Sequence, residues 1–160
     1  MISQDTAAPV PTPATAASMP AGYVTGVAYE AIISFIRAQQ AERGYTQPQF
    51  WLLRNLSPND LSPDGHPMSL AELQEVMRTY LRAEDDLASE AQALLEKGWL
   101  EPDDKDRLRI TAAGEAALAT LKQYAPTIGA LLHEGIDEAD YATTVRVLTR
   151  LIENAGGQLS

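Results

Sequence analysis

The order of local signals over residues 69–114 constrains this chain more than any other feature. Ser69 is followed three residues later by Glu72, the spacing of a capping box, in which a hydroxyl and a carboxylate each satisfy a backbone N–H at a helix start. Leu70, Leu73, Val76 and Met77 then recur at helical spacing. Leu87, Ala91, Leu94 and Leu95 give a following helix its own apolar face, with Lys97 in the last turn and Gly98 just beyond it. Trp99-Leu100 and Leu108-Arg109-Ile110 are short apolar runs on either side of residues 101–107, where Pro102, Asp103 and Asp104 supply turn chemistry. They predict a two-stranded hairpin. Thr111, with Glu115 near the first turn, opens another helix.

Helix, turn, helix, hairpin, helix is the order of a winged helix-turn-helix, a fold whose second motif helix enters the major groove of DNA. In this chain that helix is expected to begin at Glu84-Asp85-Asp86, where a phosphate-binding surface calls for neutral or basic groups. Asp85 or Asp86 fits the cap position, and carboxylates there meet the positive end of the helix dipole. That local role explains the acids most simply. The functional alternative is repulsion of phosphate from the groove-facing end.

The flanks are read in the same way. Residues 3–20 are mostly Ala, Pro, Thr and Ser, too poor in bulky apolar groups to offset their ordering entropy, so residues 1–20 are expected to be a disordered tail. Val24, Val27, Ala28, Ile32, Phe35 and Ile36 then form a helical stripe that Gly44 ends. Residues 57–67 hold three prolines with Asn59, Asp60, Asp64 and Gly65, a loop longer than a compact connection needs. Leu118, Leu121, Ile128, Leu131 and Leu132 form a stripe that Pro126 must kink or break, because proline removes a helical hydrogen bond and crowds the preceding turn. Asp137 caps a last helix carrying Tyr141, Val145, Leu148, Leu151 and Ile152.

In register, these residues resemble the multiple-antibiotic-resistance regulator (MarR) family of bacterial transcription factors. Tyr45-Thr46-Gln47-Pro48-Gln49-Phe50-Trp51-Leu52-Leu53 is similar to the family's second helix, and Ser69-Leu70-Ala71-Glu72-Leu73 to its third. Leu94-Leu95-Glu96-Lys97-Gly98-Trp99-Leu100 resembles the end of the recognition helix and the first wing strand. Arg107-Leu108-Arg109-Ile110-Thr111-Ala112-Ala113-Gly114 resembles the second wing strand and the start of the fifth helix. The likeness spans most of residues 22–156. It implies a mainly α fold with a small two- or three-stranded β wing. Residues 21–160 would be one MarR-like domain, with a winged helix-turn-helix over 46–114 and dimerisation helices over 22–43 and 115–156. It also implies a homodimer that presents two recognition helices to a palindromic double-stranded operator, and a small phenolic or lipophilic ligand held between the dimer helices and the winged part.

The resemblance points to seven DNA contacts: Arg78 and Arg82 at the turn, Ser89 and Gln92 on the recognition helix, and Lys105, Arg107 and Arg109 on or beside the wing. Gln is able to read adenine, and Glu90 to accept from cytosine. Arg107 matches the family's wing arginine, which enters the minor groove. For each cation the alternative is a solvated surface charge or a local pair with a nearby acid. Tyr29 and Tyr80 are the candidates for a ligand pocket, whereas Phe50 and Trp51 fit a core. The chain departs from the family pattern in three places: its recognition helix opens on acids, its wing is short, and the link between its motif helices is long and lacks glycine.

Other function classes find little support. There is no cysteine, and His66 and His133 lack spaced ligand partners, so no metal site and no cofactor is expected. No phosphate loop, nucleophile elbow or triad is present, so no enzymatic activity is expected. The sequence has no long apolar run and no signal-peptide pattern, which predicts a soluble cytoplasmic protein without a membrane partner. Only 12 Lys and Arg stand against 22 Asp and Glu, a net charge of −10 that opposes nonspecific DNA binding. Two functions follow: a ligand-responsive dimeric DNA-binding regulator, or a winged-helix protein with weakened or lost DNA binding that acts through a protein partner or as a small-molecule sensor.

Overall fold

The computed structural model describes residues 9–159, and the chain forms two compact units, residues 1–47 and 48–160. In the first unit, Thr12 caps a six-residue helix α1 (Pro13–Ser18), with proline at its start and no residue buried. Composition alone leads one to expect disorder there; the cap and the proline are local signals that favour a single exposed turn. The part of the expected tail over residues 1–8 lies outside the described residues. Helix α2 (Ala21–Glu42) follows, and its one buried residue is Gln40. Its apolar stripe is left open: Tyr23, Val24, Val27, Tyr29 and Ile32 are all exposed. After it, the Tyr45 N–H donates to the Gln40 carbonyl and the Arg37 Nε to Gln47 Oε1 at 2.9 Å.

The second unit is built around helix α3 (Gln47–Leu56), whose Leu52, Leu53 and Leu56 are sealed from solvent. Leu73 and Met77 at the end of α4 (Leu70–Val76), Leu94 of α5 (Leu87–Glu96) and Leu100 of β1 (Leu100–Pro102) complete this core. Each such side chain contributes roughly 2–3 kcal/mol by leaving water. The capping box at α4 is present in full: the Glu72 N–H donates to Ser69 Oγ and the Ser69 N–H to Glu72 Oε2. Strand β1 pairs antiparallel with β2 (Leu108–Ile110), and Met68 adds an isolated bridge to Leu108, so the wing is two strands with a one-residue third edge.

Two glycines set the geometry behind the recognition helix. Gly98 has φ +69°, a conformation that only glycine adopts without strain, and it turns the chain from α5 into β1. Gly114 lies in the first turn of α6 (Ala112–Lys122), where a Cβ would stand 2.1 Å from the Trp99 carbonyl oxygen. The Thr111 hydroxyl fixes the same corner by donating to the Gly98 carbonyl at 2.6 Å and accepting from the Gly114 N–H.

A buried carboxylate ties the long loop down. Asp60 accepts from Arg54 Nε and Nη2, both at 3.0 Å, and pairs with Lys122 Nζ at 2.6 Å. Burial alone raises its carboxyl, but the hydrogen bonds and charges of Arg54 and Lys122 outweigh that and hold it below the ordinary range. Beside it in sequence, the Ser57 hydroxyl donates to Glu115 Oε2 on α6.

The stripe after α6 breaks as proline requires: α6 ends at Lys122 and α7 (Ala125–Leu132) begins with Pro126 in its first turn. Asp137 caps α8 (Glu138–Asn154) through the N–H groups of Ala139 and Asp140. None of the 17 residues of α8 is buried, and Tyr141, Val145, Val147 and Leu151 are exposed. No helix of the described residues is long and apolar enough to cross a membrane.

Candidate nucleic-acid interface

Of the two expected cap residues, Asp86 is the one that starts the recognition helix. Residues 77–86 form the turn of the motif, so Glu84 and Asp85 precede α5, and Asp86 is its N-cap. Asp86 accepts from the Ser89 hydroxyl at 2.8 Å and from the Ser89 N–H, and these two bonds lower its pKa. Asp85 turns back to accept from the Arg82 N–H at 2.7 Å, closing the turn on itself. The acids do local work here, since Ser, Asp and Asn side chains readily replace missing backbone partners at helix starts.

On α5 itself, Leu87, Ala91 and Leu94 face the core, while Ser89 and Gln92 are exposed. Both exposed residues are already bonded, Ser89 to Asp86 and Gln92 Nε2 to Glu96 Oε1 at 3.2 Å. Glu90 does not stand ready to read a base: it accepts from Gln49 Nε2 of α3 at 2.8 Å, so it braces the helix against its neighbour.

The wing tip is organised by Asp103. Its Oδ1 accepts from the N–H groups of Lys105 and Arg107, both at 2.9 Å, and its Oδ2 receives the Arg107 guanidinium at 2.7 and 2.9 Å. Loss of water contact alone raises this carboxyl, but the backbone and side-chain bonds from Arg107, with the Lys105 N–H, bring it down to about 2. Asp106 takes the left-handed φ of +55° that completes the turn. Arg107, the expected groove arginine, is therefore held along the wing by its own loop.

The remaining arginines also meet acids. Arg109 Nε donates to Glu101 Oε1 at 2.8 Å across the β1–β2 register, both side chains being exposed. Arg78 lies 3.8 Å from Glu75, and the mostly buried Arg82 lies 3.8 Å from the exposed Glu84. Lys105 has no ion pair among the described residues. The structure thus places the expected contacts on the motif turn, α5 and the wing, and pairs nearly all of them with an acid or acid-held group. Local spacing signals some of these pairs, such as Glu75 with Arg78, but gives no sign of which carboxylate takes Arg107 or Arg109.

Tyr80 is exposed on one side and stacked on the other. Its ring stacks on Trp51 with centroids 3.8 Å apart, and the Arg54 guanidinium lies 4.6 Å from the Trp51 ring centroid. Trp51 and Phe50 are half-buried, packing edge to face with each other. Tyr29 is exposed on α2. His66 lies in the loop 3.8 Å from Asp64, and the His133 ring packs on Tyr141.

No protein-family model and no curated protein matches the sequence. Solved structures do. Wild-type MarR of E. coli in its apo form superposes with a TM-score of 0.62 at 18% identity, covering 84% of this chain and 97% of that one. A MarR family protein of Mycobacterium tuberculosis gives 0.64 at 20% identity over 82% of this chain and 93% of its own. The p-aminosalicylic acid complex of that protein gives 0.59 at 20% identity over 83% and 98%. The likeness covers 82% to 84% of the chain, and in fold the chain is a MarR-like winged-helix protein.

Proposed function

We propose that this chain is a dimeric, ligand-responsive transcriptional regulator that binds a palindromic double-stranded DNA operator. The observation that carries this reading is the pairing of an intact winged helix-turn-helix with flanking helices whose apolar faces stay exposed on a single chain. Exposed apolar surface of this extent calls for cover, and a second copy covers it while presenting two recognition helices at once. On DNA, Ser89 and Gln92 of α5 meet base edges, Arg78 and Arg82 meet phosphates, and Lys105, Arg107 and Arg109 follow the wing. A bound p-aminosalicylic acid in the mycobacterial MarR family protein supports a small phenolic or lipophilic effector, with Tyr29 as a candidate contact. Effector binding then shifts the population of dimer geometries away from the one that fits the operator. The activity is regulatory rather than enzymatic and belongs in the cytoplasm.

A second reading is favoured by one observation: Arg78, Arg82, Arg107 and Arg109 all lie against carboxylates. It describes a winged-helix protein that has weakened DNA binding and works through a protein partner or as a small-molecule sensor. A salt titration separates the two. A fluorescent duplex covering the DNA upstream of this protein's own gene is compared with a scrambled duplex. The regulator binds the first more tightly, loses affinity steeply with salt, and weakens in Arg107→Ala. A protein that ignores both duplexes at low salt fits the second reading.

A further inference from the structure

Exposed ion pairs are weak, worth about 0–1 kcal/mol, so an arginine held by a surface carboxylate is easily transferred to a phosphate. The carboxylate stays behind. It then stands within several ångströms of the phosphate that took its partner, and it repels it. Three pairs with an exposed carboxylate lie on elements of the motif and wing: Glu75–Arg78 at the end of α4, Glu84 with the mostly buried Arg82 in the turn, and Glu101–Arg109 across the wing strands. In each pair the acid is well exposed, with 74%, 68% and 49% of its side chain open to solvent. None of the three caps a helix or closes a turn, in contrast with Asp86, Asp85 and Asp103. They have no structural task that accounts for them beyond meeting an arginine.

Given the DNA-binding reading above, we infer that Glu75, Glu84 and Glu101 are specificity-determining residues that restrain sequence-independent DNA binding. Nonspecific binding rests almost wholly on phosphate contacts, whereas an operator adds base contacts that offset the repulsion. A carboxylate about 7 Å from a phosphate in water opposes it by about threefold in affinity at low salt. Three together lower nonspecific affinity by roughly 30-fold if independent. The chain's negative balance then serves to keep the winged surface off bulk DNA while leaving its arginines available to a correct site.

The test compares the full-length protein with the triple variant Glu75→Gln, Glu84→Gln, Glu101→Gln. A second triple, Glu134→Gln, Glu138→Gln, Glu153→Gln, makes the same change in net charge away from the motif and wing. Circular dichroism checks that all three proteins share one fold, and binding to the scrambled and upstream duplexes is followed against salt. The first triple is expected to bind the scrambled duplex roughly 30-fold more tightly at low salt. Its log–log salt dependence steepens by about 0.9 for each arginine newly engaged. Its preference for the upstream duplex falls. If both triples gain equally, the effect is one of overall charge and the inference fails, while upstream binding by the wild type would leave the DNA-binding reading intact. If no protein binds either duplex, both fail. If the wild type binds neither duplex and only the first triple binds, the acids block DNA binding outright, and a restraint confined to sequence-independent binding is overturned.

Discussion

In the winged unit, Leu52, Leu53, Leu73, Met77 and Leu94 are wholly sealed from water, whereas α8 buries none of its 17 residues and α2 buries only Gln40. The two regions have similar raw material. Both carry Leu, Val and Ile at helical spacing. The difference lies in what surrounds them: α3, α4, α5 and the wing close on one another within the chain, and the α8 stripe finds no such cover there. The winged unit is where stability is built, and the exposed apolar stripes of the flanking helices are the surfaces to which the proposed dimer assigns assembly.

The largest effect is expected at Leu53, in the sealed winged core. Leu53→Ala removes a side chain with no exposed surface and is expected to cost about 4 kcal/mol in urea unfolding. A loss below about 1 kcal/mol would mean that the winged core is not the stabilising region. Gly114→Ala comes next, at about 3 kcal/mol, because its methyl would meet the Trp99 carbonyl and α6 must move away from the wing. Asp60→Asn is expected to cost about 2 kcal/mol by the same assay, since Arg54 and Lys122 lose their shared carboxylate.

Acid sharpens the comparison further. The Asp103 carboxyl sits at about 2 in the folded wing, below its unfolded value near 3.9. A depressed folded pKa means that its contribution is complete above about pH 4 and is lost as pH falls toward 2. Asp60 shifts in the same direction. Backbone amide signals of Lys105 and Arg107 should therefore move together with a midpoint near pH 2, and Asp103→Asn should abolish that transition. The smallest effect on the chain itself is expected at α8: Val145→Asp should alter its intrinsic stability by no more than about 0.5 kcal/mol. It should nevertheless remove the concentration dependence of Tm that a dimer shows.

Local chemistry made much of the fold legible. The Ser69–Glu72 box, Gly98 after α5, Thr111 ahead of Gly114, and the break before Pro126 each follow from a few neighbouring residues, and each stands where spacing predicts. The functional surface was less legible because its partners are chosen by tertiary geometry. Sequence offers Asp85 and Asp86 alike as the cap and does not choose between them; in the fold Asp86 caps α5 and Asp85 closes the turn. Glu90 is four residues from Asp86 and suits an exposed face, yet it is drawn inward by Gln49, 41 positions away. The stacking of Tyr80 on Trp51 likewise has no local signal, because α3 brings the two rings together from 29 positions apart. The short helix α1 carries its signal only in Thr12 and Pro13, against a composition that argues the other way.

Light scattering across a size-exclusion peak, run without and with the upstream duplex at low salt, reads assembly and DNA binding together. A dimeric regulator gives a protein mass of twice the 17.3 kDa chain, shifting to a complex of two chains per duplex that salt dissolves. A peak at 17.3 kDa that the duplex leaves unmoved would contradict both the assembly assigned to the flanking helices and the DNA-binding role assigned to the wing.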